Sequence, residues 1–170
     1  MRILQLSESE QAAVANTSIG TDQVTVLSVL QDAVILAQSI ASPNTEVSLN
    51  CSIEIPCTFS DANLFRVVAN LANNAVAAVN DAGGGHVQIR ATISQASLVI
   101  EVSDDGPGMA GTSSASMDAV PGQRRRSGYG TTIATLAACR LGGTVDVERT
   151  GSDGTIVSVA IPLGILGQPH

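Results

Sequence analysis

The chain has 170 residues, eight basic and fifteen acidic, giving a formal charge of −7. Hydrophobic residues make up 44% and aromatic residues only 2%, and every basic residue is Arg, with no Lys anywhere. This balance excludes a general nucleic-acid binder, which needs a basic face and stacking aromatics, and a disordered chain, which needs low hydrophobicity and high charge. A chain of this length buries about 70% of its unfolded surface, enough for one proper core. With Tyr129, Phe59 and Phe65 as its only aromatics, that core is built from Ala, Val, Ile and Leu. Cys51, Cys57 and Cys139 are odd in number and lack CxxC spacing, so they read as reduced, small core residues of a cytosolic, hence cytoplasmic, protein. His86 and His170 are too few for a zinc site or a Ser/His/Asp triad. The longest apolar stretch, Val26 to Ala41, is broken by Ser28, Gln31, Asp32, Gln38 and Ser39, too polar to span a bilayer. The first residues show no cationic, apolar leader.

In chain order, residues 1–22 read as an N-terminal tail or the end of a preceding helical segment, and residues 23–170 as one domain. Val26, Leu27, Leu30, Val34, Ala37 and Ile40 recur at helical spacing, with Asp22 placed to cap the helix and Pro43 to end it. Its apolar residues suffice for one core-facing side and do not form a dimer stripe. Alternation through Val47, Leu49, Cys51, Ile53 and Ile55 predicts a half-buried strand stopped by Pro56. Ser60 or Asp61 then caps a helix to about Ala78, its apolar face carrying Leu64, Val67, Val68, Leu71, Ala75 and Val79. Residues 80–85 form a loop by composition. Strands His86–Ser94 and Ser97–Asp104 make a hairpin about Gln95-Ala96. Residues 105–127 are rich in Gly, Ser, Pro and Arg and carry no sustained periodicity; a loop this long in a compact domain is usually either functional or a sign that its elements are misassigned. A third helix runs from about Gly130 to Leu141, and strands Gly143–Arg149 and Thr155–Ile161 flank a Gly-Ser-Asp-Gly turn. The order predicts an α/β (α+β) two-layer sandwich: a mixed, mostly antiparallel sheet of about five strands covered on one face by three helices.

Three stretches carry chemistry. Asn70 and Asn74, four apart, share one face of the second helix; the pair reads either as local capping and solvent exposure or as neutral oxygens for a Mg²⁺ shell completed by phosphates and waters. Asp104-Asp105-Gly106-Pro107-Gly108 ends an apolar strand. It reads either as a plain turn or as a carboxylate placed to accept a hydrogen bond from an exocyclic amine, with glycines leaving room for a flat ligand. Ser127-Gly128-Tyr129-Gly130-Thr131 opens the third helix, where free N–H groups and the positive dipole end suit phosphate. It is not a Walker loop, since no GK[ST] is present, nor a dinucleotide fingerprint, since no strand precedes it. Arg124-Arg125-Arg126 stands just before it, either a solvated loop or part of an anion site.

Taken in order, Asn70 to Ala75, Asp104 to Gly108 and Gly128 to Gly130 resemble the N, G1 and G2 boxes of the ATP-binding domain shared by histidine kinases, type II topoisomerases, heat-shock chaperones and mismatch-repair ATPases (the GHKL or Bergerat fold). The run Leu141 to Val147, then Gly154-Thr155 and Ala160-Ile161-Pro162, resembles the tail of the histidine-kinase catalytic domain, and the resemblance covers about residues 23–163. It implies ATP and Mg²⁺ as cofactors: Asn74 would ligate the metal bridging the phosphates, with Asn70 supporting it as the second catalytic position. Asp104 would take the adenine amino group, helped by Thr155 and Gly108, while Gly106 and Gly108 make room for the base. The N–H groups at Gly128, Tyr129, Gly130 and Thr131 would hold phosphates under a lid formed by 109–127. The hydrolysing members and the anti-sigma-factor serine kinases carry Glu where this chain has Asn70, an amide that cannot take a proton. This fits the histidine-kinase type, in which phosphoryl transfer relies on positioning and charge neutralisation.

The chain departs from the family pattern at Thr131, where Leu is usual, at Thr135, where a basic residue is usual, and in having no Phe in the lid. Neither His86 nor His170 stands in a phosphoacceptor context. The implied activity is therefore phosphoryl transfer to a histidine supplied by another domain or protein of a two-component pathway, with a response-regulator pathway protein downstream. The alternatives are a nucleotide-binding or degenerate interaction module of the same fold and an anti-sigma-factor-type serine kinase.

Overall fold

The computed structural model describes residues 24–108 and 129–164. Helix α1 (Val26–Ile40) starts with a capping box: Ser28 N–H donates to Thr25 Oγ1, and Thr25 N–H to Ser28 Oγ, each at 3.1 Å. Thr25 thus takes the cap that spacing predicts for Asp22, a residue outside the described ones; its extended backbone and hydroxyl satisfy an otherwise unpaired first-turn N–H. Val26, Leu30, Ala33, Val34 and Ala37 are buried, whereas Ile40, predicted to face inward, is 46% exposed. At that end Asn80 ties the chain. Its Nδ2 donates to Ile40 O at 2.9 Å, and its Oδ1 accepts from Ser42 N–H at 2.9 Å and Thr45 Oγ1 at 2.7 Å.

Strand β1 (Thr45–Cys51) is shorter than the alternation predicts. Its pairing with β2 (Gly85–Ser94) ends at Cys51↔Ala91, and the following backbone turns to the start of α1. Val26 N–H donates to Ile55 O at 3.0 Å and Cys57 N–H to Val24 O at 2.8 Å, with a bridge between Thr25 and Pro56. Ile53 and Ile55 keep their inward contacts without being strand. Helix α2 (Asp61–Asp81), capped by Ser60, runs one turn further than predicted and buries Leu64, Val67, Val68, Leu71, Ala75 and Val79.

Strand β3 (Ser97–Asp104) follows β2 through Gln95 and Ala96, both at positive φ (48° and 59°), the pattern of a tight turn matched to strand twist. Helix α3 (Tyr129–Arg140), β4 (Thr144–Gly151) and β5 (Gly154–Pro162) complete the fold. The sheet order is β1-β2-β3-β5-β4, parallel between β1 and β2 and antiparallel elsewhere. Val87, Ile89, Leu98, Ile100, Val159 and Ile161 point into the core beneath the helices. The alternate residues face water, where register partners Arg90 and Glu101 form an ion pair at 3.8 Å. One helical layer on one sheet face is the α+β sandwich that the element order predicts. Cys51 and Cys57 are half-buried, but Cys139 is exposed, not a core residue. Helix α3 packs inward through Ala134, Ala137 and Ala138, so the next position turns to solvent. No helix among the described residues is long and apolar enough to cross a membrane.

Candidate functional site

The site begins at the C-terminal end of β3. Asp104 sits between Val87 of β2 and Thr155 of β5 in the register. Its carboxylate is half-buried, and burial pushes its pKa above the usual range; the N–H groups of Gly106 and Thr155 act in the opposite direction. Gly106 N–H donates to Asp104 Oδ1 at 3.0 Å, which leaves other lone pairs of the carboxylate for a ligand. Thr155 is 6% exposed, the one buried polar residue among those described. Two glycines permit this convergence. Gly154 (φ +108°) lies so close to Asp104 O that a Cβ there would overlap it, and Gly108 (φ +75°) abuts Gly151 O in the same way.

Helix α2 supplies the opposite wall. Leu71, Ala75 and Ala78 present small apolar groups, and Val102 and Val157 close the floor from the sheet. Asn74, Asp104, Gly108, Thr131 and Thr155 line the same cavity of about 80 Å³, mostly apolar with a few polar groups at its edge. It is open to one side and smaller than a site enclosing a whole small molecule.

Among the residues singled out by sequence, the fold brings Asn74, Asp104, Gly108, Thr131 and Thr155 to one pocket, with Gly106 packed behind Asp104. Asn70 is not in its wall: its Nδ2 donates to Arg66 O at 2.6 Å, one turn back along the helix. Spacing puts Asn70 and Asn74 on one helix face, but this backbone bond holds Asn70 to its own helix. Tyr129 and Gly130 are the first two residues of α3; Gly128 and the expected lid, 109–127, lie outside the described residues. Thr135 Oγ1 donates to Thr131 O at 2.8 Å, so it too is turned onto its own helix.

Sequence reasoning missed the apolar lining and Asn73, whose Oδ1 is buried without a hydrogen-bond partner among the described residues. The lining was within reach. Leu71, Ala75 and Ala78 lie three, one and four positions from Asn74, and Val102 and Val157 two positions from Asp104 and Thr155, hence on the same sheet face. The described residues contain no group of three or more His, Cys, Asp or Glu able to hold a metal. Amide oxygens here fit only a hard cation whose remaining ligands come from phosphate oxygens and water; Asn74, which lines the pocket, matches that donor set, whereas Asn73, the preceding helix position, is not among the lining residues.

A model of the family described as "Histidine kinase-, DNA gyrase B-, and HSP90-like ATPase" matches residues 60–165. That is more than half of the chain, and the chain belongs to this family. Solved structures agree at the level of fold. The histidine kinase domain of the blue-light activated histidine kinase EL346 from Erythrobacter litoralis superposes with a TM-score of 0.60 at 23% identity, over 91% of this chain and 69% of that one. The mycobacterial sensor histidine kinase MprB gives 0.59 at 21% identity, over 82% and 96%. Histidine kinase AdeS from Acinetobacter baumannii gives 0.61 at 14% identity, over 95% and 87%. No curated protein matches the chain.

Proposed function

We propose that this chain is the nucleotide-binding catalytic unit of a two-component histidine kinase, binding ATP with Mg²⁺ and passing the terminal phosphoryl group to a histidine of another domain or protein. The observation that carries the reading is Asp104, a half-buried carboxylate at a strand end, facing Asn74 across a cavity with an apolar floor. An aminopurine has the chemistry for that place. Its ring is flat and apolar enough for Leu71, Ala75, Val102 and Val157, and its exocyclic amine donates to Asp104. The amide of Asn74 offers oxygen toward the phosphate side, with Thr131 at the start of α3, the positive end of that helix, lining the same cavity. Magnesium, when bound, would neutralise phosphate charge and align the transferring group. Asn74 would hold it. Asn70 acts as a support on α2, with no proton-accepting role.

The test is calorimetric titration of ATP·Mg²⁺. Asp104→Asn reverses the hydrogen-bonding capacity of one carboxylate oxygen and is expected to weaken affinity at least about tenfold, since a buried polar pairing is lost. Unchanged affinity overturns the reading. One observation favours a second reading, an interaction module that keeps the fold without ATP: Thr131 and Thr135, where the family has Leu and a basic residue, are engaged with each other through a helix-internal bond. That reading takes over if millimolar ATP or ADP with Mg²⁺ fails to raise the melting temperature.

A further inference from the structure

The start of β2 is joined to the exit of β3 by contacts that the nucleotide reading does not use. Asp105 follows Asp104 directly, and both its carboxylate oxygens go to His86, nineteen positions earlier. His86 N–H donates to Oδ1 at 2.7 Å and the imidazole Nδ1 meets Oδ2 at 2.9 Å. Asp105 N–H returns a bond to His86 O at 3.2 Å. The carboxylate lies where a side chain on Gly85 would be, so only glycine leaves it room. Across the β1–β2 pairing, the carboxylate of Glu46, the register partner of His86, is 3.8 Å from Nε2.

We infer that His86 is a positioning residue for the base-binding carboxylate: by gripping Asp105 it fixes the backbone on which Asp104 and Gly106 stand. The inference rests on the nucleotide reading of Asp104. The two backbone bonds persist with any residue at 86; what histidine adds is the side-chain bond, strongest when the ring is charged. The groups facing it are Asp105 from the β3 exit and Glu46 from β1, both acidic. They raise the His86 pKa, Asp105 foremost, while His86 holds the Asp105 carboxyl below its usual range. The side-chain bond is therefore at full strength only between the lowered Asp105 value and the raised imidazole value. It weakens as pH rises through the latter.

The experiment compares wild type with His86→Gln and Asp105→Asn. Each variant's Kd for ATP·Mg²⁺ is divided by the wild-type value at the same pH, from 6 to 8.5, which cancels titration of the nucleotide itself. The expected ratio is about threefold to fivefold at pH 6, in the range of an exposed charged pair, falling to near one at pH 8.5. A ratio that stays constant with pH overturns the inference. The second arm needs no nucleotide. In ¹⁵N–¹H NMR spectra the Gly106 amide, bonded to Asp104 Oδ1, is expected to move in step with the His86 ring resonances in wild type. That component disappears in His86→Gln; a Gly106 titration untouched by the substitution overturns the inference. Wild-type protein that binds no nucleotide sinks the nucleotide reading and leaves the clamp to be decided by the amide titration.

Discussion

At the scale of single residues, the site depends on one carboxylate held where a carboxylate is disfavoured. Burial raises the Asp104 pKa, so between its unfolded and folded values the native state binds more protons than the unfolded chain. Stability of the ligand-free protein falls as pH rises through that window. Asp104→Asn removes the ionisation but keeps an oxygen for Gly106 N–H. Its melting temperature is expected to equal or exceed that of wild type at pH 7, and to vary less from pH 4 upward. A loss of several degrees at pH 7 would mean that the charge stabilises the fold. Asp104 and its glycines were legible in the sequence because Asp-Asp-Gly-Pro-Gly at a strand end is distinctive. The orphaned oxygen of Asn73 and the grip of His86 on Asp105 were not. One depends on what covers a helix face and the other on an antiparallel register that brings residue 86 beside residue 105.

At the scale of elements, local signals gave helices and strands, while their ends were decided by partners in space. Alternation carried β1 on to Ile55, yet the strand stops at Cys51 although β2 continues, because the following backbone is drawn to the start of α1, where Ile55 O accepts from Val26 N–H and Cys57 N–H donates to Val24 O. Helix α2 runs past the predicted end at Ala78 to Asp81, which delivers Asn80 to the α1–β1 connection. Through it Asn80 satisfies Ile40 O, Ser42 N–H and Thr45 Oγ1 at once. Asn80→Ala is expected to cost about 2 kcal/mol in urea unfolding, the loss of several partly buried hydrogen bonds. A change within ~0.5 kcal/mol would make this connection self-supporting. The same spacing argument that grouped Asn70 with Asn74 held for the helix face but not for the pocket, because a backbone carbonyl one turn away captures the Asn70 amide.

At the scale of the whole molecule, the charge of −7 with no Lys bears on how an anionic ligand is held. Helix-end N–H groups carry partial charge only, so a divalent cation is the expected counter-charge. Chelation of Mg²⁺ with EDTA is accordingly expected to weaken ATP binding by at least about tenfold in calorimetry. Affinity indifferent to chelation would move that role to Arg124–Arg126. The outer helix surface carries Ile35 (63% exposed), with Leu36 and Ile40 near it, more apolar surface than the single core-facing side predicted from the sequence of α1.

By itself the sequence determined the class of fold, the family and the chemical identity of the candidate groups. Hydrophobic period and capping residues are local properties, and the three motifs keep their order along the chain. Tertiary structure alone decided which of those groups meet. Pairing Asp104 with Thr155 and packing α2 over the sheet are contacts between distant residues, set by register and by which small side chains let backbones close. For that reason Asn74 reaches the cavity and Asn70 does not, and a histidine that the motifs leave aside stands against the carboxylate next to Asp104.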